Sequence, residues 1–102
     1  MARRRAERTV RAVPRFLKAK RALPDDVQED VDRRVREIMA DPLMGDPKVG
    51  ALRGVRVVKL KVHQQQFLLA YRFFPRSNVV EVLDIGPHEN FYRDLQRYLG
   101  AR

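Results

Sequence analysis

The chain has 102 residues, enough for one domain with a modest hydrophobic core. Apolar residues make up 44% of it, which is ordinary for a folded domain and argues against global disorder. The sequence contains no run of about 18 apolar residues that would span a membrane. It also contains no cysteine, which excludes disulfides, thiol nucleophiles and Cys-ligated zinc. We expect a single cytoplasmic domain over residues 1–102.

Positive charge is the strongest compositional feature. Lys and Arg number 22 against 13 Asp and Glu, which gives a formal net charge of +9 at pH 7. A domain this basic attracts polyanions such as nucleic acid or an acidic protein. The opening residues MARRRAER lack the apolar segment of a secretory signal, and we expect residues 1–7 to form a flexible basic tail. The alternative is a cationic surface without a polyanionic partner.

The first forty residues predict a short strand followed by a helical hairpin. Residues 9–13 are β-prone, and Pro14 suits the first turn of a helix that extends to about residue 22. Asp25 and Asp26 follow Pro24 and mark the start of a second helix, because acidic residues stabilise a helix N-terminus. This helix runs to about residue 40, and its apolar stripe consists of Val27, Val31, Val35 and Ile38.

The second half of the chain predicts a small sheet and a last helix. Residues 41–54 contain prolines and glycines and predict a loop. Three strands follow, over residues 55–63, 67–74 and 79–85, and their short links favour an antiparallel meander. A C-terminal helix from about residue 87 to 99 ends before Gly100. The predicted class is α+β, with a short N-terminal strand, a helical hairpin, a three-stranded antiparallel meander and a C-terminal helix.

The strand after Val55 carries the first candidate site. Alternation places Lys59, Lys61 and His63 on the face opposite an apolar row. A two-residue hairpin loop at Gln64-Gln65 would add Arg72 to this face, whereas a three-residue loop would exclude Arg72. Such a face either binds a phosphate and stabilises charge that develops there, or is the solvated face of a half-buried sheet.

His88 and Tyr92 form the second candidate site. They are four residues apart near the start of the last helix, so they lie on one helix face. A histidine is the usual general acid or base near neutral pH, and a tyrosine one turn away can orient a substrate or stack on a base. The alternative is a capping histidine beside a half-exposed tyrosine.

The carboxylates predict structural ion pairs and not a catalytic pair. We expect Glu81, Asp84 and Glu89 to pair with the many arginines, with Arg72 and Glu81 as cross-strand partners. The two histidines have no cysteine or clustered carboxylate beside them, so we predict no metal and no other cofactor.

The order of elements and the segment 52–99 resemble the RelE/ParE superfamily, the toxins of type II toxin–antitoxin systems. The Leu52-Arg53-Gly54 turn leads into a Lys-x-Lys strand and then an apolar strand that contains a tyrosine, as in RelE-type toxins. The later Gly86-Pro87-His88 segment, with an aromatic residue four positions after the histidine, resembles the ending of the ribosome-dependent mRNases in this superfamily.

The resemblance implies an activity and assigns residues to it. RelE-type toxins cleave mRNA in the ribosomal A site without a metal, through attack of the 2′-hydroxyl on the adjacent phosphate. By position, the catalytic residues would be His88 as acid or base, Tyr92 to position the substrate, and Lys59 and Lys61 to bind or polarise the phosphate. RelE itself carries arginines at the positions of Leu68 and His88, so the resemblance implies that phosphate stabilisation either shifts to Arg72 or Arg93 or is weaker. The residues implied as RNA or phosphate contacts are Arg53, Arg56, His63, Arg72 and Arg93.

The resemblance also implies partners and leaves other functions open. The partners would be an acidic, partly disordered antitoxin, the 70S ribosome and mRNA, with operator DNA bound only through the antitoxin and no membrane contact. The toxins of the ParE branch share the fold but lack the catalytic residues, and they inhibit DNA gyrase. A third alternative is a basic nucleic-acid-binding or ribosome-binding module without toxicity. The lysines, His88 and Tyr92 favour the nuclease.

Overall fold

The computed structural model describes residues 7–100, which form three α-helices and a five-stranded β-sheet. The expected basic tail, apart from Glu7, lies outside the described residues. No helix within residues 7–100 is long and apolar enough to cross a membrane. The elements in chain order are β1 (Thr9–Ala12), α1 (Pro14–Arg21), α2 (Asp25–Ala40), β2 (Asp46–Pro47), a 3₁₀ turn (Gly50–Leu52), β3 (Arg56–Val62), β4 (Gln65–Phe74), β5 (Val79–Pro87) and α3 (Phe91–Gly100).

The sheet has the strand order β1-β5-β4-β3-β2. The strands β3, β4 and β5 form the predicted antiparallel meander, and β1 pairs in parallel with β5. The predicted α+β class is therefore confirmed. The strand β2 adds a fifth member within the predicted loop, where Asp46 pairs with Val57. Two residues are too few to show an alternating pattern, so this strand could not be predicted from periodicity.

The two helices of the hairpin begin and end close to the predicted residues. Pro14 occupies the first turn of α1, and the two aspartates occupy the first turn of α2. Val31 and Ile38 are fully buried, and Val35 packs against the core from a half-buried position. The apolar stripe therefore fixes which face of α2 turns inward.

The β3–β4 hairpin closes one residue earlier than predicted. Val62 pairs with Gln65, so the loop consists of His63 and Gln64, with φ angles of 51° and 66°. Two consecutive left-handed residues are what a two-residue hairpin turn requires. Lys59 consequently pairs with Leu68, whereas a loop at Gln64-Gln65 would pair it with Ala70. The loop still has two residues, so the predicted sharing of one sheet face by the strand lysines and Arg72 is retained.

The last helix covers part of the lysine face of the sheet. Leu68 lies opposite Lys59 on one side and opposite Gly86 on the other, so all three share a face. A Cβ atom added to Gly86 would lie 3.5 Å from the Phe91 ring, which places the start of α3 over this face. Leu68 is completely buried as a result, and the sheet has buried apolar residues on both faces. The end of α2 lies on the other face, where the Tyr71 hydroxyl donates to the carbonyl of Pro42.

Candidate functional site

The exposed lysines of β3 and the end of β5 lie on one face. Lys61 lies opposite Gln66, and Lys59 lies in one cross-strand row with Gly86. Neighbouring strands are about 4.8 Å apart, so the Cα atoms of Lys59 and Gly86 are separated by about 10 Å. His88 follows Gly86 by two residues, just after β5 ends. The strand register therefore brings His88 to the same end of the sheet as the two lysines.

His88 and Tyr92 contact each other at the start of α3. Their ring centroids are 5.7 Å apart in an edge-on arrangement with an interplanar angle of 86°. The carbonyl of His88 accepts a hydrogen bond from the Phe91 N–H at 3.2 Å, so the main chain of His88 helps to begin the helix. The His88 side chain is exposed and Tyr92 is half-buried. The expected contact of the two side chains is present, but α3 begins at Phe91 and not near residue 87, so His88 lies three residues before the helix and not on its face.

A third lysine joins the site from outside the predicted set. The Lys48 ammonium lies 5.0 Å from the centroid of the Tyr92 ring, within the range of a cation–π contact. Lys48 follows β2, and its N–H donates to the carbonyl of Val55 at 2.9 Å. The loop that contains Lys48 is rich in proline and glycine and has no periodic pattern, so the sequence could not predict that Lys48 lies at this site. The pairing of β2 with β3 brings it there. We call the surface formed by Lys48, Lys59, Lys61, His88 and Tyr92 the lysine–histidine face.

His63 is not part of the lysine–histidine face, and its expected position there was wrong. The left-handed backbone at His63 turns its side chain out of the strand, and its Nε2 atom contacts the Asp26 carboxylate at the start of α2. This hydrogen bond raises the pKa of His63 and lowers the pKa of Asp26. The histidine therefore links the hairpin tip to the helical layer.

Arg56, which the resemblance implies as an RNA or phosphate contact, also lies outside the lysine–histidine face. It alternates with Val57 along β3 and so points to the opposite sheet face from the lysines. Its guanidinium donates to the carbonyls of Leu43 and Gly45, at 3.0 and 2.8 Å. Arg56 thus holds the main chain of the loop after α2. Arg53 is exposed just after the 3₁₀ turn, where its N–H donates to the Gly50 carbonyl.

The remaining two arginines lie at different distances from the lysines. Arg72 shares their sheet face but is four residues beyond Leu68 on β4, which is about 13 Å along the strand. Its cross-strand neighbour is Glu81, as predicted. Arg93 is exposed beside Tyr92, and its guanidinium lies 3.4 Å from the Asp94 carboxylate. The structure therefore does not bring Arg72 to the end of the sheet where His88 lies.

The buried carboxylates of β5 pair with arginines, as predicted. Glu81 forms an ion pair with Arg11 at 3.1 Å, and Asp84 forms one with Arg15 at 3.0 Å. Burial raises the pKa of the Asp84 carboxyl, and the hydrogen bond from Arg15 opposes this shift. Within residues 7–100, no group of three or more His, Cys, Asp or Glu side chains is placed to hold a metal ion. The carboxylates thus tie β5 to β1 and α1.

The lysine–histidine face combines three chemical capacities. Ammonium groups attract phosphate oxygens and stabilise charge that develops on them. An imidazole can accept or donate a proton near neutral pH, and a half-exposed aromatic ring can stack on a base. Such a surface suits a phosphodiester with a base beside it.

Comparison with known proteins identifies the family. The sequence model of the ParE-like toxins of type II bacterial toxin–antitoxin systems matches residues 10–96. A search of curated proteins gave no match.

Solved structures of RelE proteins share the fold. The toxin in the intact RelBE toxin–antitoxin complex of E. coli is 23% identical, with a TM-score of 0.66 over 80% of this chain and 98% of that chain. The RelBE complex of Mycobacterium tuberculosis contains a chain that is 20% identical, with a TM-score of 0.71 over 81% and 100%. A doubly substituted free E. coli RelE is 21% identical, with a TM-score of 0.71 over 92% and 99%.

The family match spans most of the chain. The similarity to the solved structures covers the sheet and the helices described above. The chain therefore belongs to the ParE-like toxins of type II bacterial toxin–antitoxin systems, within the RelE/ParE superfamily.

Proposed function

We propose that this toxin is a ribosome-dependent, metal-free endoribonuclease that cleaves mRNA during translation. One observation carries the proposal, namely that the sheet register and the start of α3 bring Lys59, Lys61 and His88 to one end of one exposed face. Cleavage without a metal needs a proton acceptor, a proton donor and cations at the phosphate. The lysine–histidine face offers side chains for each of these roles.

The proposed reaction is an internal transfer at a phosphodiester. The 2′-oxygen attacks the adjacent phosphorus, a new P–O bond forms, and the bond to the 5′-oxygen of the next nucleotide breaks. The imidazole of His88 takes the proton from the 2′-hydroxyl, and an ammonium group of Lys59 or Lys61 donates a proton to the departing 5′-oxygen. Tyr92 stacks on a neighbouring base and holds the reacting atoms in line.

The openness of the lysine–histidine face supports dependence on the ribosome. The side chains of Lys59, Lys61 and His88 are all exposed, so they lie on an open surface. An open surface gives a flexible RNA strand little orientation, and orientation is a large part of catalysis. The ribosome would hold the mRNA in a fixed conformation in the A site before the toxin binds. The chain's net charge of +9 would attract the toxin to ribosomal RNA.

The second part of the proposal concerns the antitoxin. The solved RelE structures include complexes with antitoxins, and a basic toxin is complementary to an acidic, partly disordered partner. The antitoxin would bind operator DNA, and this toxin would be held at the operator only through the antitoxin. We propose that such an antitoxin neutralises this toxin.

Inhibition of DNA gyrase is the second candidate function. The matching sequence model describes ParE-like toxins, and this observation favours it. A gyrase inhibitor has no need of a histidine beside two exposed lysines, so variants of these residues separate the two functions.

Translation in vitro with purified toxin tests the proposal. The 5′ ends of a translated mRNA are mapped by primer extension, with and without ribosomes, for the natural protein, His88→Ala and a Lys18→Ala control at an exposed position on α1. We expect discrete cuts that need ribosomes, persist in Lys18→Ala and vanish in His88→Ala. Intact mRNA with unimpaired protein synthesis would refute the nuclease, and a supercoiling assay would then test gyrase.

A further inference from the structure

The end of the sheet far from the hairpin tip carries an apolar groove. Two adjoining pockets of about 410 and 400 Å³ share the lining residues Leu43, Phe73 and Pro75. Phe73 lies on the opposite sheet face from the strand lysines, since it is five residues beyond Leu68 on β4. The groove is therefore separate from the lysine–histidine face.

Leu43 is exposed in the groove although its main chain is held firmly. Leu43 is 61% exposed, and it lies beside Phe73 and Pro75, which also line the groove. Arg56 donates to the carbonyls of Leu43 and Gly45, and the Gly45 N–H donates to the Tyr71 hydroxyl at 2.9 Å. The space beside Gly45 is closed, because an added Cβ atom would lie 2.9 Å from the Tyr71 ring. An apolar side chain presented on a fixed backbone loses little entropy on binding a partner.

Arginines line both ends of the groove. Arg56 lines one pocket, and Arg8 and Arg76 line the other, where Asp41 is the single lining carboxylate. The Arg8 guanidinium lies 5.4 Å from the centroid of the Phe73 ring and donates to the Met39 carbonyl at 2.7 Å. Within residues 7–100, none of these three arginines forms an ion pair. Their charge is therefore available to a ligand, and it selects an acidic one.

We propose that this groove is a docking site for an acidic segment of the antitoxin, which inserts apolar side chains between Leu43, Phe73 and Pro75 and places carboxylates beside Arg8 and Arg76. An apolar centre with a polar or charged rim is the usual arrangement of a protein interface. The inference rests on the proposed antitoxin and not on the proposed nuclease. Because the groove and the lysine–histidine face lie on opposite sides of the sheet, docking here anchors the partner without covering His88.

Selection from a random dodecapeptide phage library on the immobilised toxin tests the groove. The enriched peptides are then synthesised, and their Kd values are measured by fluorescence anisotropy against four variants. Leu43→Asp and Arg76→Glu alter the groove. Val49→Asp, at an apolar side chain that is 85% exposed outside the lining, and Arg36→Glu, on the exposed face of α2, are the matched controls.

We expect enriched peptides that combine Asp or Glu with two apolar residues. Their binding should weaken by at least about tenfold in Leu43→Asp and about three- to tenfold in Arg76→Glu, while the two controls bind within about twofold of the natural protein. Equal binding by Leu43→Asp and Val49→Asp would overturn the proposal, as would enrichment of peptides without acidic residues.

Two further readouts separate this inference from its alternatives. Light scattering that shows a dimer of the natural protein and a monomer of Leu43→Asp would assign the groove to a second copy of this chain and overturn the proposal. Cleavage of mRNA on ribosomes should be unchanged in Leu43→Asp, since the lysine–histidine face is intact. Absence of cleavage in the natural protein would refute the nuclease alone and leave the peptide result standing.

Discussion

The Lys48 ammonium lies 5.0 Å from the centre of the Tyr92 ring, and the same ring packs edge-on against His88. One aromatic side chain thus connects the segment after β2 to the proposed acid–base residue at the start of α3. Lys48 therefore adds positive charge to the lysine–histidine face and restrains the Tyr92 ring, which we propose stacks on a nucleobase of the substrate.

Replacement of Lys48 by alanine should lower the rate of mRNA cleavage on ribosomes by about two- to fivefold. This range corresponds to the loss of an exposed cation–π contact of about 0.5–1 kcal/mol. Lys48→Arg should retain most of the activity, because a guanidinium also stacks on an aromatic ring. The initial rate of cleavage is the measurement, and an unchanged rate in Lys48→Ala would exclude a positioning role.

His88→Ala and Lys59→Ala should each relieve growth arrest while the protein remains folded. Both side chains are exposed, so little stability is lost when they are truncated. Loss of a proton-transfer group is expected to slow cleavage about 10²- to 10⁴-fold. Growth after induction and the melting temperature are measured together. Undiminished toxicity in both variants would show that the site is wrongly assigned.

The His63–Asp26 contact should make stability depend on pH. The hydrogen bond to Asp26 raises the pKa of His63 above its ordinary value of 6.5, so the contribution of His63 is full below about pH 6.5 and is lost as the pH rises through the raised pKa. The pKa of Asp26 is lowered from 3.8, so its contribution is present above about pH 3.8 and is lost as the pH falls through the lowered value.

His63→Ala should therefore lower the melting temperature more at pH 5.5 than at pH 8.5. Asp26→Asn should show the same pattern, and the double variant should lose no more than either single variant because they remove one contact. Asp25→Asn, at the neighbouring exposed carboxylate, serves as the control. Equal losses at both pH values would refute the contact.

Tyr71→Phe should destabilise the domain by about 1–3 kcal/mol, the usual cost of leaving buried polar groups unpaired. The hydroxyl of the fully buried Tyr71 donates to the Pro42 carbonyl at 2.7 Å and accepts from the Gly45 N–H at 2.9 Å. Urea unfolding gives the change in free energy. Faster amide exchange at Gly45 should accompany it, since the loop after α2 loses its anchor. A loss below about 0.5 kcal/mol would show that water replaces the hydroxyl.

Val31→Asp should unfold the domain. Val31 is completely buried at the centre of the α2 stripe, and an unpaired carboxylate there costs several kcal/mol, comparable to the total stability of a small domain. Circular dichroism and thermal melting provide the measurement. Arg36→Asp, on the exposed face of the same helix, should remain folded. A cooperative transition at the natural melting temperature in Val31→Asp would contradict the packing of α2.

The elements and the fold class were predictable because each long element has a periodic pattern of its own. The α2 stripe and the alternation along β3 are local properties that follow from helix and strand geometry. The pairing of Glu81 and Asp84 with arginines was also predictable, since buried carboxylates need partners. The contact of His88 with Tyr92 was also expected, although His88 lies before the first residue of α3 and not one helical turn away within it.

Tertiary structure decided which residues join the candidate site. The hairpin loop closes at His63-Gln64, and this shift of one residue removes His63 from the strand and joins it to Asp26. Alternation along β3 turns Arg56 toward the loop after α2, whereas a two-residue strand brings Lys48 to Tyr92. The sequence by itself determined the helices, the strands and the basic character of this protein. The members of its lysine–histidine face and the groove beside Leu43 depend on strand register and on main-chain hydrogen bonds between distant residues, which leave no periodic trace in a single sequence.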